Sequence, residues 1–286
     1  MHYIVYTDLD GTLLDEKYSS EVVKKTVEAL IKREIPIVFC TSKTRAEIEL
    51  YRSHLGIKDP FISENGGAIF IEFDYFEFDY SYDYELSSDG RRYRVIELGA
   101  KYEELRRNLK EIEEESEGSL KISGFGDMSA EEIAADSGLS LREAELSRMR
   151  EYDEAFKVIA GDKERIVEKI AEKGLHFTMG GRYCHILGDN DKGKAVQILN
   201  ALFRKKYARI TTIGIGDSFN DLPMLRAVDI PVLVAKPDGS HEYIAEKKVS
   251  VRKESGIGPV GWKNVMEDLI LRDKSRSRSM GNGEKD

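Results

Sequence analysis

The two ends of the chain carry one hydrophobic pattern and its middle another, and this arrangement constrains the fold more than any other feature. Near the N-terminus a short apolar run, Ile4-Val5-Tyr6, leads to Asp8 and a turn at Gly11. A helix capped by Ser19 or Ser20 is expected next, with Val23, Val27, Leu30 and Ile31 at i, i+4, i+7 and i+8. A second apolar run, 35–40, ends at Thr41-Ser42, and Thr44 with Glu47 forms a capping box for a helix that stops at Gly56. Strand, helix, strand, helix with short connections is the signature of a parallel sheet. The same order returns over 192–234. There a helix with Val196, Leu199, Leu202 and Phe203 on one face precedes a buried strand at 210–215 ending at Gly216-Asp217. A short helix through Leu222 and Leu225 and a strand at 230–234 follow.

The middle reads differently. From Glu72 to Tyr80 acids alternate with aromatics, the period of a half-exposed antiparallel hairpin within about 70–98. A helix over 101–115, two short helices opened by the capping boxes Ser129…Glu132 and Ser140…Glu143, and strands at 156–160 and 176–187 around a helix at 162–172 complete it. The expected class is α/β: a Rossmann-like parallel-sheet core, 1–82 and 187–272, interrupted by an inserted α+β domain at 83–186. Residues 273–286 are polar, rich in Ser and Arg, and expected to be a disordered tail. A length of 286 residues would by itself suggest two consecutive domains; the pattern argues for one core and an insert.

Charge excludes some partners. With 53 acidic and 44 basic residues the formal net charge is −9, so no nucleic-acid or anionic-membrane partner is expected. The first residues carry no basic and apolar leader pattern, and no stretch approaches 18 apolar residues. Cys40 and Cys184 lack CxxC spacing and read as reduced core cysteines, which suits a cytoplasmic protein. No oligomeric state is read from the sequence.

Two acidic clusters stand at strand ends. Asp8-Leu-Asp10-Gly-Thr12 follows the first strand, where open α/β sheets bind ligands. Gly214-Ile-Gly216-Asp217-Ser-Phe-Asn220-Asp221 follows a later one. Alone, the first is compatible with turn-forming aspartates and the second with a helix N-cap and its first-turn acids. Two such clusters in one sheet point instead to a shared cation, and hard oxygen ligands suit Mg²⁺. The hydroxyl pair Thr41-Ser42 with Lys43, and Lys192 or Lys194 at the start of a helix, complete the candidate chemistry.

Together, Asp8-x-Asp10-Gly-Thr12, Thr41-Ser42, Lys192-Gly193 and Gly216-Asp217-x-x-Asn220-Asp221 resemble, in order, the four motifs of the haloacid-dehalogenase (HAD) superfamily of aspartate-nucleophile phosphatases. The insert between the second and third motifs resembles that family's large α/β cap, type IIB. The resemblance implies that Asp8 attacks phosphorus, and that Asp10 protonates the leaving oxygen and then activates water. It implies that Mg²⁺ is held by Asp8, the Asp10 backbone carbonyl and Asp217, with Asp221 a ligand or a neighbour of one. Thr41 would bond the phosphoryl group, with Ser42 in its place if the register slips by one. Lys192 fits the family's Lys-Gly-x-Ala run, with Lys194 the alternate. Such groups are needed because two unit charges 4 Å apart repel by about 4 kcal/mol at an effective dielectric near 20, which Mg²⁺ and a lysine offset.

Three further stretches narrow the resemblance. Cys40-Thr-Ser-Lys-Thr-Arg45 replaces the Thr-Gly-Arg usual in sugar-phosphate relatives, and Ser63-Glu-Asn65-Gly66-Gly-Ala68 is the strand-end loop that meets substrate in them. In the insert stand Gly124-Phe-Gly-Asp-Met128, Arg150-Glu-Tyr-Asp153-Glu154 and Gly180-Gly-Arg182-Tyr-Cys-His185. These resemble the mannosyl-3-phosphoglycerate phosphatases, which release phosphate and the compatible solute mannosylglycerate. The likeness covers about 3–265 and departs at Ala155, where that family's proline is expected. It implies a small phosphorylated sugar-glycerate as substrate. Arg150 or Arg182 would fork onto the glycerate carboxylate, and Glu154, Asp153 or Asn65 would accept sugar hydroxyls. Ser42, Lys43, Gly66, His185 and Asn220 join them as expected substrate contacts. The residues alone also allow a solvated helix end at 150–154, a hairpin turn at Gly180-Gly181 and a core histidine at 185. Rival readings are a phosphatase of glucosyl-3-phosphoglycerate, sucrose phosphate or hexose phosphates, a phosphomannomutase-like transferase, and a non-catalytic sugar-phosphate sensor.

Overall fold

The structure is a computed structural model that describes residues 2–88, 90–243 and 250–272; the expected tail at 273–286 lies outside the described residues. Its first sheet is parallel. Strands β1 (His2–Thr7) and β2 (Ile37–Phe39) are linked by α1 (Lys24–Ile31), and α2 (Arg45–Leu55) follows β2. The Thr44–Glu47 capping box and the left-handed Gly56 bound α2 as expected. Helix α1 instead begins at Lys24 with no side-chain cap, because 21–23 form a turn after Ser20. Later strands of the chain join this sheet, and their pairing with β1 gives it its site.

A second sheet starts where the first ends. Cys40 bridges to Ile62 in β3 (Phe61–Ser63). Strands β4 (Ala68–Glu72), β5 (Tyr84–Ser88) and β6 (Arg91–Glu97) then complete an antiparallel sheet ordered β3-β4-β6-β5. The hairpin β5–β6, assigned to the insert from sequence, is thus hydrogen-bonded through β4 to the N-terminal segment. The alternating stretch at 73–83 is not a strand. It forms turns, and Phe76 is buried against Phe203 with Tyr75, Phe78 and Tyr80 packed around it. Period-two alternation looks like a strand, but here several rings gather on one helix.

The third sheet lies in the insert. Helix α3 (Tyr102–Glu115), β7 (Lys121–Gly124), α4 (Ala130–Ser137), α5 (Leu141–Ser147), β8 (Asp153–Ala160), α6 (Lys163–Glu172), β9 (His176–Gly180) and β10 (Tyr183–Leu187) form an antiparallel sheet ordered β7-β8-β10-β9 with helices on both faces. Both expected capping boxes open α4 and α5. Leu105, Leu109, Ile112, Ile166 and Ile170 pack α3 and α6 on one face. Ala130, Ile133 and Ala144 place α4 and α5 on the other, with Phe125, Ala155 and Tyr183. Residues 153–154, which could have ended a solvated helix, instead begin β8 and are fully buried.

The chain then returns to the first sheet through α7 (Lys192–Lys206), β11 (Ile210–Gly216), α8 (Leu222–Arg226), β12 (Ile230–Ala235), β13 (Arg252–Ile257) and α9 (Gly258–Met266). Its order is β13-β12-β11-β1-β2, every pair parallel. Alternate strand residues bury opposite faces: Val5, Phe39, Ile213 and Val232 against α1, α2 and α9, and Ile4, Tyr6, Val38 and Leu233 against α7 and α8. The sequence reading found neither β13 nor α9. Arg252-Lys-Glu-Ser lacks an apolar face because β13 is a half-exposed edge. The register Thr7↔Ile215 sets the ends of β1 and β11 side by side, which brings both acidic clusters together. Among the described residues no helix is long and apolar enough to cross a membrane.

Candidate active site

At the adjoining ends of β1 and β11 a lysine sits among three carboxylates. Lys192 Nζ, fully buried at the start of α7, donates to Asp8 Oδ1 at 2.8 Å and to Asp221 Oδ1 at 2.6 Å. Asp221 Oδ2 accepts from the backbone N–H groups of Asp217 and Ser218, both at 3.0 Å. A Cβ at Gly216 would stand 2.5 Å from that carboxyl, so the turn accommodates only glycine there. Asp217 accepts from Thr12 at 3.2 Å and from the Ser218 hydroxyl at 2.9 Å. Lys194 points elsewhere, bonded to Asp189 at 2.6 Å on the surface. Lys192 is placed from behind: Gly66, at φ +88°, packs so closely under Asp191 that a Cβ would lie 2.1 Å from its carbonyl oxygen.

Burial and mutual repulsion shape this cluster. Desolvation raises the Asp8 carboxyl to about 8; Lys192 opposes the shift, while Asp221 and Asp217 add to it. Asp217 rises to about 7, first through burial and then through Asp221, against Ser218 and Lys192. Desolvation by itself would lower Lys192, but Asp221 and Asp8 outweigh it and hold its ammonium well above the ordinary range. One lysine therefore does not neutralise the cluster. Oxygen atoms of Asp8, Asp217 and Asp221 all lie within 4.8 Å of one another. A hard, all-carboxylate donor set with surplus negative charge fits a divalent cation of the Mg²⁺ type.

A cavity of about 610 Å³ opens above, between these strand ends and the insert. Asp8, Asp10, Ser42, Lys43, Arg150, Arg182, His185, Asp217 and Asn220 are among its lining residues. Asp10 faces it and pairs with Lys43 Nζ at 3.1 Å. Its carboxyl is raised by desolvation, with Lys43 pulling the other way. Lys43 in turn bonds Glu47 at 3.1 Å and lies over the rings of Tyr18 and Tyr51. Glu47 thus closes the helix cap and anchors this lysine at once. Thr41 is buried beneath, its hydroxyl near the Lys43 N–H at 3.4 Å, while Ser42 reaches the cavity wall.

The insert supplies the opposite wall. Arg182 lines it and donates to the Ser137 carbonyl at the end of α4. Arg150 bonds the Asp153 carbonyl at 2.7 Å and, across the domain boundary, the Ser42 carbonyl at 2.9 Å. Asn65 does not line this cavity; its side chain joins Asp153 at 2.7 Å and Asn220 at 3.0 Å. Glu154 is not on the wall either. It is fully buried inside the insert, holding Arg106, Tyr102 and the Gly126 N–H at about 3 Å each. Sequence reasoning missed Tyr18, Glu47 and Glu64. The carboxylate of Glu64 accepts from the Glu151 and Tyr152 N–H groups at 2.8–3.1 Å. Only the neighbouring Asn-Gly of Glu64, and the capping-box spacing of Glu47, carried any signal.

Comparison with known proteins agrees with this geometry. A family model described as haloacid dehalogenase-like hydrolase matches residues 5–259. The chain is 47% identical over 278 residues, 96% of its length and all of the relative's, to a glucosyl-3-phosphoglycerate/mannosyl-3-phosphoglycerate phosphatase of Methanococcoides burtonii. It is 39% identical over 250 residues, 87% of this chain and 96% of the relative, to a mannosyl-3-phosphoglycerate phosphatase of Pyrococcus furiosus. Among solved structures, a Thermoplasma acidophilum protein superposes with a TM-score of 0.64 at 19% identity, covering 95% and 99% of the two chains. A HAD subclass IIB sugar phosphatase gives 0.60 at 16% identity, covering 93% and 98%. With four motifs meeting at adjoining strand ends and a family model spanning most of its length, the chain belongs to the haloacid dehalogenase-like hydrolase family.

Proposed function

We propose that this protein is a Mg²⁺-dependent phosphomonoester hydrolase that converts mannosyl-3-phosphoglycerate to the compatible solute mannosylglycerate and phosphate. The observation that carries the reading is Lys192, which bridges Asp221 to Asp8 beneath a cavity that Asp8 lines and cap arginines wall. The Asp8 carboxylate attacks phosphorus as the ester P–O bond breaks, giving an aspartyl-phosphate. Asp10 gives its proton to the departing oxygen, then takes one from the water whose oxygen attacks phosphorus and frees Asp8. Lys192 opposes the rise of the Asp8 carboxyl and holds it in place, and Thr41 or Ser42 bonds the phosphoryl group. Asp8, Asp217, Asp221 and the Asp10 carbonyl would hold the cation, which neutralises charge on the phosphoryl oxygens. Arg150, Arg182, His185, Lys43 and Asn220 serve the remainder of the substrate.

On this reading the core comprises about 1–97 and 188–272, with a cap between, since β5 and β6 pair with the core's second sheet. A cytoplasmic setting suits two buried free cysteines. A second reading, acceptance of glucosyl-3-phosphoglycerate as well, is favoured by the relatives at 47% and 41% identity, both named for the two substrates. Phosphate release is the test, with Mg²⁺ and after chelation. The panel is mannosyl- and glucosyl-3-phosphoglycerate, mannose 6-phosphate and sucrose 6-phosphate. Activity unaffected by chelation would remove the metal from the reading, and the highest kcat/KM on mannose 6-phosphate would remove the glycerate.

A further inference from the structure

Asp153 is the first residue of β8 and has no exposed surface. Its Oδ1 meets His185 Nδ1 at 2.8 Å and Arg150 Nη2 at 3.1 Å, and its Oδ2 accepts from Asn65 Nδ2 at 2.7 Å. Both oxygens are engaged, and Asp153 does not line the cavity. Buried and off the wall, it is not placed to receive a sugar hydroxyl. What it does is hold two residues that do line the wall, Arg150 and His185.

The chemistry of that hold is directional. An ionised carboxylate only accepts hydrogen bonds, so the proton on Nδ1 of His185 points at Asp153. In the neutral ring the bare acceptor is then Nε2, and no described residue bonds that atom. Arg150 spends Nε and Nη2 on Asp153 and on Ser42 of the core, which leaves Nη1 outside these bonds. The wall therefore offers a fixed acceptor beside a fixed cation, a match for a hydroxyl next to a carboxylate. The assembly also crosses the domain boundary. Asn65, in a left-handed turn at φ 55°, bonds Asp153 on the cap side and Asn220, next to Asp221, on the core side.

We propose that Asp153 is a positioning residue: it fixes the Nδ1–H tautomer of His185 and the direction of Arg150, so that the cap recognises the hydroxyl- and carboxylate-bearing part of the substrate. Its links to Asn65 and Asn220 set that recognition against the phosphate site. The inference rests on the phosphatase reading for its substrate but not for its geometry.

The test is Asp153→Asn in the full chain, with two readouts. Carboxylates that orient metal-ligating histidines cost roughly 10–100-fold when changed, and the same kind of hold is at work on His185. The expected loss in kcat/KM for mannosyl-3-phosphoglycerate is of that order, chiefly in KM, and Asp153→Asn/His185→Ala loses no more than about threefold beyond the single variant. Nitrogen-15 spectra of His185 should show Nδ1–H in the native protein and lose that tautomer in Asp153→Asn. Fully additive losses, a fall in kcat alone, or an unchanged His185 tautomer each overturn the proposal. If Asp153→Asn fails to fold, Asn65→Ala is read instead: a several-fold rise in KM supports the assembly and an unchanged KM overturns it. A native protein inactive on the glycosyl-phosphoglycerates overturns the substrate reading, and the His185 spectra then decide the positioning role by themselves.

Discussion

Two buried aspartates, Asp8 in the core and Asp153 in the cap, show how environment divides one residue type into two roles. Asp8 shares a small volume with Asp217 and Asp221 and one lysine, and its carboxyl is pushed up to about 8. For Asp153 burial also pushes upward, but His185 and Arg150, with the Asn65 hydrogen bond, outweigh it and the net shift is downward. The first cluster is short of positive charge and suited to a ligand that brings it. The second is satisfied within the protein and suited to holding geometry. On the proposed reading, reactivity belongs to the cluster short of positive charge and recognition to the balanced one.

The strongest way to test that division is Asp8→Asn, which removes the proposed nucleophile and is expected to lower turnover by at least about 10³-fold. Substantial residual phosphate release would take the nucleophile role from Asp8. Lys192→Gln should follow at about 10²–10³-fold in kcat, the usual cost of a lost charge-stabilising donor; steady-state kinetics at saturating Mg²⁺ would show it. For the cation, Mg²⁺ at 100 times its dissociation constant should stabilise the protein by about 2.7 kcal/mol, read from melting or denaturant curves. In Asp217→Asn most of that gain should vanish.

Stability against pH in metal-free protein separates the two clusters by sign. The raised carboxyl of Asp8 contributes stability at low pH that is lost as pH climbs from 3.8 through about 8. The lowered carboxyl of Asp153 contributes stability above 3.8 that is lost as pH falls below it. Urea midpoints across this range should therefore fall less steeply toward alkaline pH in Asp8→Asn, and less steeply toward acid in Asp153→Asn. Identical slopes in both variants would erase the distinction. The smallest effect is expected for Lys194→Ala. Its ammonium serves only exposed Asp189, so kcat should change less than about twofold, as for most surface pairs.

Much of the core was legible because its signals are local. Apolar runs ending in Asp, capping boxes such as Thr44–Glu47 and the Lys192-Gly pair each lie within a few residues, and the strand ends bring them together through one register. The stretch at 73–83 was not legible, since alternation of Phe, Tyr and acids looks the same whether the rings face a sheet or collect around Phe203. Strand β13 escaped because an edge strand needs no continuous apolar face. Glu154 and Asp153 were indistinguishable in sequence as candidate hydroxyl acceptors. Only their partners, Arg106 and Tyr102 for one and His185, Arg150 and Asn65 for the other, show that both are already occupied.

The sequence by itself determined that this is an α/β chain with an insert and which strand ends carry the acids. Those properties follow from periodicity and from short motifs, which are local. Tertiary structure decided that Lys192 and not Lys194 meets Asp8, that Ser42 and not Thr41 reaches the cavity wall, and that β5 and β6 pair with β4. It also decided that Asp153 points at His185. Each of these is a contact between residues distant in the chain, or a choice between neighbours that only the direction of the backbone can make.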